Sequence, residues 1–454
     1  MQTTLLRSLP LARRAAAVLT ALAFASPAAL AQDPPKPKPK PWRLDDVLGT
    51  PDYVKVSGSY RTRFESLHGQ FRNSAALRDN EDQVASRLLL RMDFMRDCWG
   101  VAVEGIDGRM FNTKNDSFAN NTTVDTFDLL EANASYSFAH GHKVTAGRFT
   151  MDLGSRRLIA RNKYRNTINS FNGVRWEYDG EGEIDASAFW ALPTMRRPTS
   201  RTQLVDNEHD WDNQTSDVQF FGGEVRAPLD EHAGVQAYLL GLQDHRAATT
   251  SRELWTPGVR YDRPERRGAI SGEVEGAYQF GERGSADVEA WFGHASVGYT
   301  CDCDLEPTVR LAIDYASGNR ASDSAYNRFD TLFGARRFEY GPTGIYGAIG
   351  RRNIVSPEIR VSCKPTSATW VMLAYRDLRL DAASDGWAEA GDATGQGKHV
   401  GSQIEARLRW DAVPKNLRLE TGGAYFVGDD FRETSTSGRS TDTRYFFFEA
   451  TVTF

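Results

Sequence analysis

After residue 31 the sequence contains no long apolar run, so no segment is available to cross a membrane as a helix. It is poor in cysteine: Cys98, Cys301, Cys303 and Cys363 are the only four, too few for a disulfide-stapled fold. An oxidising compartment would still leave one or two bridges open to them, with Cys301 or Cys303 to Cys363 the candidate pairing. Cys301-Asp302-Cys303 has no second ligand pair at a matched spacing, so no metal site is expected at these thiols. The HExxH, GxSxG and GxxxxGK patterns are missing. His294 and Ser296 lie two apart with no orienting acid identified. No catalytic residue, cofactor or metal is expected, and the chain is read as a non-enzyme. A basic surplus is also missing. The formal net charge is -5, which excludes a nucleic-acid binder, and any preference for anions must come from where the arginines sit.

What is present is 11% aromatic residues and 39 glycines in a chain only 40% hydrophobic. That many aromatics excludes a disordered chain. At the N-terminus, Arg7, Arg13 and Arg14 precede a short apolar stretch from Ala15 to Phe24 and the small-x-small triplet Ala29-Leu30-Ala31. These are the parts of a secretory signal peptide spanning 1–31, whose removal leaves the mature chain more acidic. Residues 32–52 contain DPPKPKPKP, which stays extended and cannot join a sheet. No composition break follows, so 53–454 reads as one domain.

That domain alternates with period two. At the C-terminus, Phe446, Phe448, Ala450, Val452 and Phe454 share one face, while Glu449, Thr451 and Thr453 lie on the other. Near the start, Val54, Val56, Tyr60, Thr62 and Phe64 oppose Lys55, Ser57, Arg61, Arg63 and Glu65. In a soluble sandwich the polar face would point outward. In a membrane barrel the apolar face meets lipid and the charged face lines the lumen. The signal peptide and the terminal Phe454 favour the barrel. Tight turns near 97–98, 140–142, 179–182, 229–234 and 414–415 alternate with longer polar stretches near 67–84, 112–123, 195–216, 318–352, 381–398 and 428–441. The fold class expected is therefore all-β, a transmembrane antiparallel up-and-down barrel of about 18 strands. Both termini and all four cysteines belong to its periplasmic, short-turn end. The acidic stretch DNEHDWDNQTSD (206–217) could bind calcium or bridge lipopolysaccharide, but its spacing does not match an EF-hand loop and it reads as a solvated extracellular loop.

Arginine stands out on the lumen face. Alternation places Arg61, Arg63, Arg87, Arg91, Arg175, Arg310, Arg360, Arg407, Arg409 and Arg418 inside, interleaved with Glu65, Asp93, Glu177, Asp314, Glu358, Glu405 and Glu420. Two readings compete. The charges form cross-strand pairs that fill the barrel, or a subset forms an electropositive ring, since guanidinium groups bind carboxylates bidentately at any pH. The densest basic segment, GRFTMDLGSRRLIARNKYRN (147–166), carries Arg148, Arg156, Arg157, Arg161, Lys163 and Arg165. Folded inward, it would place several cations at a constriction.

LLEANASYSF (129–138), GRFTMDLGSRRLIA (147–160), FNGVRWEY (171–178), DYASGN with FDTLFG (314–319, 329–334) and TGGAYFVGDDFR (421–432), in this order, resemble the alginate-export porin family of Gram-negative bacteria. The resemblance covers nearly the whole mature chain. It implies a monomeric 18-stranded outer-membrane barrel whose positively charged constriction passes secreted alginate outward. Carried over by motif, the substrate-facing residues are Glu131, Arg148, Arg157 and Arg175, with Arg61, Arg63 and Arg109 from strand position. Phe149, Ser155 and Thr331 depart from the family pattern. The partners expected are an anionic polysaccharide or organic anions, the lipid bilayer with lipopolysaccharide, and periplasmic secretion proteins. Uptake of small organic or sugar acids is the alternative.

Overall fold

The computed structural model of the protein describes residues 41–454. The expected signal peptide and most of the Pro/Lys segment lie outside the described residues. Within 32–52, a single helical turn forms at Leu44–Leu48.

Eighteen strands follow. They are β1 Val54–His68, β2 Asn80–Arg96, β3 Trp99–Phe111, β4 Asp125–Phe138, β5 His142–Phe149, β6 Phe171–Tyr178, β7 Asp185–Pro193, β8 Val218–Pro228 and β9 Gly234–Asp244. The second half comprises β10 Arg252–Arg263, β11 Ile270–Arg283, β12 Ala286–Thr300, β13 Thr308–Ala316, β14 Ile354–Thr366, β15 Thr369–Arg379, β16 His399–Val413, β17 Leu417–Gly428 and β18 Thr443–Thr453. Every strand pairs antiparallel with its sequence neighbours, and β1 pairs with β18. The sheet is thus closed and no edge is left unpaired, the condition for strands to lie in hydrocarbon.

The predicted alternation carries through. Tyr60, Phe64, Leu90, Met92, Val101, Val103, Trp190, Trp291, Phe446 and Phe448 are exposed on the outer wall. Arg61, Arg63, Glu65, Gln83, Glu104 and Glu405 are buried on the inner one. Connections on one end are tight, as at Asp97-Cys98, where Asp97 takes a φ of 54°, and at 414–416, where Lys415 takes 70°. Those on the other end are mostly long, the exception being the turn at 284–285. Both barrel termini lie at the short-turn end: Val54 opens β1 there, and the Phe454 N–H donates to the Gly58 carbonyl at 3.0 Å. Cys98, Cys301, Cys303 and Cys363 also sit at this end, all as free thiols.

The lumen of the long-loop half is packed. One apolar cluster joins strand residues Phe171, Phe220, Phe292 and Phe426 to loop residues Leu158, Ile159, Ile345, Tyr346 and Trp387. Burying each such side chain contributes about 1.5–3 kcal/mol, so the long loops here are structural elements of the barrel interior. The stretch 318–352, read from sequence as a polar loop, differs in this respect. Its GPTGIYGAIG run puts Ile345, Tyr346, Ala348 and Ile349 among the buried residues.

Candidate functional site: an arginine-held lumen plug

Two inward segments meet inside the barrel: 150–170, between β5 and β6, and 317–353, between β13 and β14. Ile159 and Phe333 form a parallel bridge. The Phe333 N–H donates to the Leu158 carbonyl at 3.0 Å, the Ala160 N–H to the Phe333 carbonyl at 3.2 Å, and the Ala335 N–H to the Arg156 carbonyl at 3.0 Å. The backbones run so close that a Cβ on Gly334 would lie 1.6 Å from the Arg157 oxygen, so only glycine fits there. The sequence pieces RLIA and FDTLFG, far apart in the chain, are partners in space.

Strand arginines tie this plug to the wall. The Arg61 guanidinium donates to the carbonyls of Lys163, Tyr164 and Arg165 at 2.9–3.1 Å and to Asn166 Oδ1 at 3.1 Å. Arg63 donates to the Tyr164 carbonyl at 2.7 Å and to Glu65 at 3.1 Å. Arg87 donates to the carbonyls of Lys163 and Arg165 at 2.9 and 2.8 Å. A buried carbonyl needs a donor, and the planar five-donor fork serves several at once.

Plug arginines reach back to strand acids. Arg157 Nη1 lies 2.6 Å from both Glu273 and Glu275, and its Nε lies 3.1 Å from Glu339 of the second segment. Arg351 donates to the Arg157 carbonyl at 2.7 Å and to Glu339 at 2.8 Å. Arg161 pairs with Glu104 at 2.5 Å and Glu131 at 3.0 Å, and Arg91 reaches the same two acids and Asp93. Arg337 joins Glu405 and Glu420 at 2.9 and 3.0 Å.

The candidate pore residues read from sequence therefore separate into groups. Arg61, Arg63, Arg91, Glu131 and Arg157 belong to the plug-holding network. Arg156 is exposed on the plug surface, with its guanidinium 3.9 Å over the Phe338 ring. Arg407 and Arg409 face inward on β16, both 5.2 Å from the Trp370 ring centre and both near Glu420. Arg175 is paired with Glu177 at 2.8 Å.

Arg109 and Arg148 are corrections: both point to the outer wall. Arg109 shares the parity of Val101 and Val103 and pairs with Asp107 at 2.9 Å. Arg148 shares that of Val144 and Ala146, and donates to the Leu129 carbonyl at 2.7 Å and Asn172 Oδ1 at 3.2 Å. The sequence reading took Arg148 from its place in a motif and Arg109 from strand position, with no register for either.

Below the plug, toward the short-turn end, lies a cavity of about 660 Å³. Lys143, Arg175, Arg226 and Arg260 line it together with Glu177, Asp179, Asp185 and Glu224, and Gly154 of the plug and Gln236 cap it. Among the described residues Lys143 forms no ion pair, and Arg226 is half exposed with Asp262 at 3.3 Å. Lys143, Arg226 and Arg260 went unnoticed in the sequence, although the alternation of β5, β8 and β10 would have found them.

His294 gains the orienting acid that sequence did not reveal: Asp314, its cross-strand neighbour, lies 2.7 Å from Nδ1. The nearest charge to Nε2 is Glu273, at 3.7 Å, and Asp314 is itself bound by Arg376. His294 is thus a member of the charge network.

A closed antiparallel barrel with an apolar outer wall and a charged interior defines an outer-membrane channel protein. The Alginate export family matches residues 52–445, and the chain belongs to that family. No curated protein sequence matches it. Similar solved structures are Pseudomonas aeruginosa porins. OpdK with vanillate has a TM-score of 0.59 and 11% identity over 88% of this chain and 98% of that one. OccK2 (OpdF) in complex with glucuronate gives 0.58 and 11% over the same shares. OccK5 (OpdH) gives 0.56 and 13%, again over 88% and 98%. At these identities the likeness is one of fold.

Proposed function

We propose that this protein exports an anionic polysaccharide of the polyuronate type, with the short-turn end in the periplasm and the plug as its gate. The observation that carries the reading is the cavity at that end, where Lys143, Arg175, Arg226 and Arg260 converge below the plug. A polymer arriving from the periplasm meets these cations first. Guanidinium groups accept carboxylates bidentately, and a low-dielectric vestibule concentrates the field. The family match supports the same substrate class.

A second reading, uptake of small organic or sugar acids, is favoured by the packed long-loop half of the lumen, which leaves no room for a polymer until the plug moves. The vanillate and glucuronate named with the similar porins are acids of that size. Single-channel current in a planar bilayer under a salt gradient separates the two. Export predicts anion-selective current blocked by mannuronate or guluronate oligomers added on the short-turn side and not by neutral oligosaccharides. Block by monomeric acids alone would establish uptake instead, and a cation-selective current would refute both.

A further inference from the structure

The segment 194–217 folds back over the start of β4. Its Asp212 arrives beside Asp125 and Asp128, and one carboxylate oxygen from each of the three lies within 4.8 Å of the others. Residues three apart in a regular strand face opposite ways. Here Phe127 adopts a φ of 53° and the β3–β4 register shifts between Ile106 and Gly108, which lets Asp125 and Asp128 converge. Two of the acids are held by backbone donors: the Asp212 N–H donates to Asp128 Oδ2, and the Arg197 N–H to Asp212 Oδ1, both at 2.6 Å.

Asp125 is different. It is 2% exposed, and its fully buried Oδ1 has no hydrogen-bond partner. Arg148 lies 3.6 Å from Asp128; among the described residues Asp125 has no ion pair, and the buried Arg196 acts on it and on Asp212 from beyond ion-pair distance. A buried carboxylate oxygen without a donor is costly. Two arginines, Arg148 and Arg196, face three carboxylates, so the cluster keeps an acidic surplus.

We propose that Asp125, Asp128 and Asp212 bind a divalent cation of the calcium class, which clamps the 194–217 segment to the rim of the barrel. The donors are all oxygens and two of the three acids are more than nine-tenths buried. Calcium accepts carboxylates at irregular angles and completes its shell with carbonyls and water, whereas magnesium demands an octahedron. The ligands come from a strand and from a loop more than eighty positions on, so no contiguous motif announces them. The acidic stretch 206–217 contributes one ligand and is docked at Asp212, where the sequence reading expected a solvated loop.

Terbium is the probe, since it takes the same oxygen donors and is sensitised by a nearby indole; Trp211 adjoins Asp212. The full chain in detergent, excited at tryptophan, should show saturable terbium emission that calcium displaces at about 10⁻³ M or below, the range of extracellular calcium modules. Asp125→Asn should weaken calcium at least tenfold while the barrel keeps its heat-modifiable mobility. Should that strand variant fail to assemble, Asp212→Asn, in the loop, should give the same loss. Absence of saturable, calcium-displaceable emission overturns the proposal, as does equal affinity in the variants. Either result would mean that Arg148, Arg196 and bound protons suffice to neutralise the cluster.

Discussion

Arg157 is the point at which the plug is most exposed to a single change. It is 2% exposed and meets Glu273, Glu275 and Glu339 at 2.6, 2.6 and 3.1 Å. In Arg157→Met, Glu273 keeps Arg260 at 2.6 Å and Glu339 keeps Arg351 at 2.8 Å. Glu275 keeps only the Tyr238 hydroxyl, which donates to it at 2.9 Å. One buried carboxylate is thus left without a cation. Removing one partner of a buried pair costs about 3–5 kcal/mol, roughly a 100- to 5,000-fold shift in the docked-to-open ratio at about 1.4 kcal/mol per decade. The loss falls on the plug because the barrel's own ladder of eighteen paired strands is untouched. The expected outcome is a larger and noisier single-channel conductance, new proteolytic cleavage within 150–170, and unchanged heat-modifiable mobility. Adding Glu275→Gln removes the stranded charge and should restore part of the closed state. Unchanged conductance and cleavage in Arg157→Met would show that Arg157 does not hold the plug.

Gly334→Ala drives a Cβ into the Arg157 carbonyl; overpacking of this kind costs about 1–3 kcal/mol, and the variant should also become leaky and lose protection of 150–170 in hydrogen exchange. Lys143→Glu with Arg226→Glu reverses two vestibule charges and should move the reversal potential toward cation selectivity without altering assembly. Arg109→Gln and Arg148→Gln, being on the outer wall, should leave the reversal potential where it is, and a shift comparable to that of the vestibule pair would contradict their outward direction.

The barrel was legible in the sequence because alternation is a local property. One residue up and the next down is all a strand wall requires, and Tyr60 and Phe64 against Arg61 and Arg63 state it directly. The inward fold of 147–166 was open to the sequence only as a condition, because a dense basic run can equally well stay in solvent. The second inward segment was less visible because its signal is composition rather than period: Ile345, Tyr346, Ala348 and Ile349 are apolar in a stretch otherwise read as loop. Direction at strand ends was the weakest part. Arg148 sits one residue from buried Phe149, and nothing in the motif says which of the two turns inward. The partners of Arg157 could not be read at all, because Glu273, Glu275 and Glu339 come from other parts of the chain.

The pairing pattern bears on where discrimination between solutes can reside. A guanidinium whose donors are spent on fixed partners has little left for a passing carboxylate. Arg61, Arg63, Arg87 and Arg157 are of that kind: each is buried, and each is committed to plug carbonyls or strand acids. On the proposed reading they would set whether the lumen is open. Discrimination then belongs to cations with unused donors, and on the inner wall below the plug these include Lys143 and the half-exposed Arg226. Gate and filter would then be separated along the barrel axis, with the filter at the short-turn end. An anion entering from that end would meet these cations before the plug, whereas one entering from the other end would have to displace the plug first. The proposed export from the short-turn end outward would use the cations in that order.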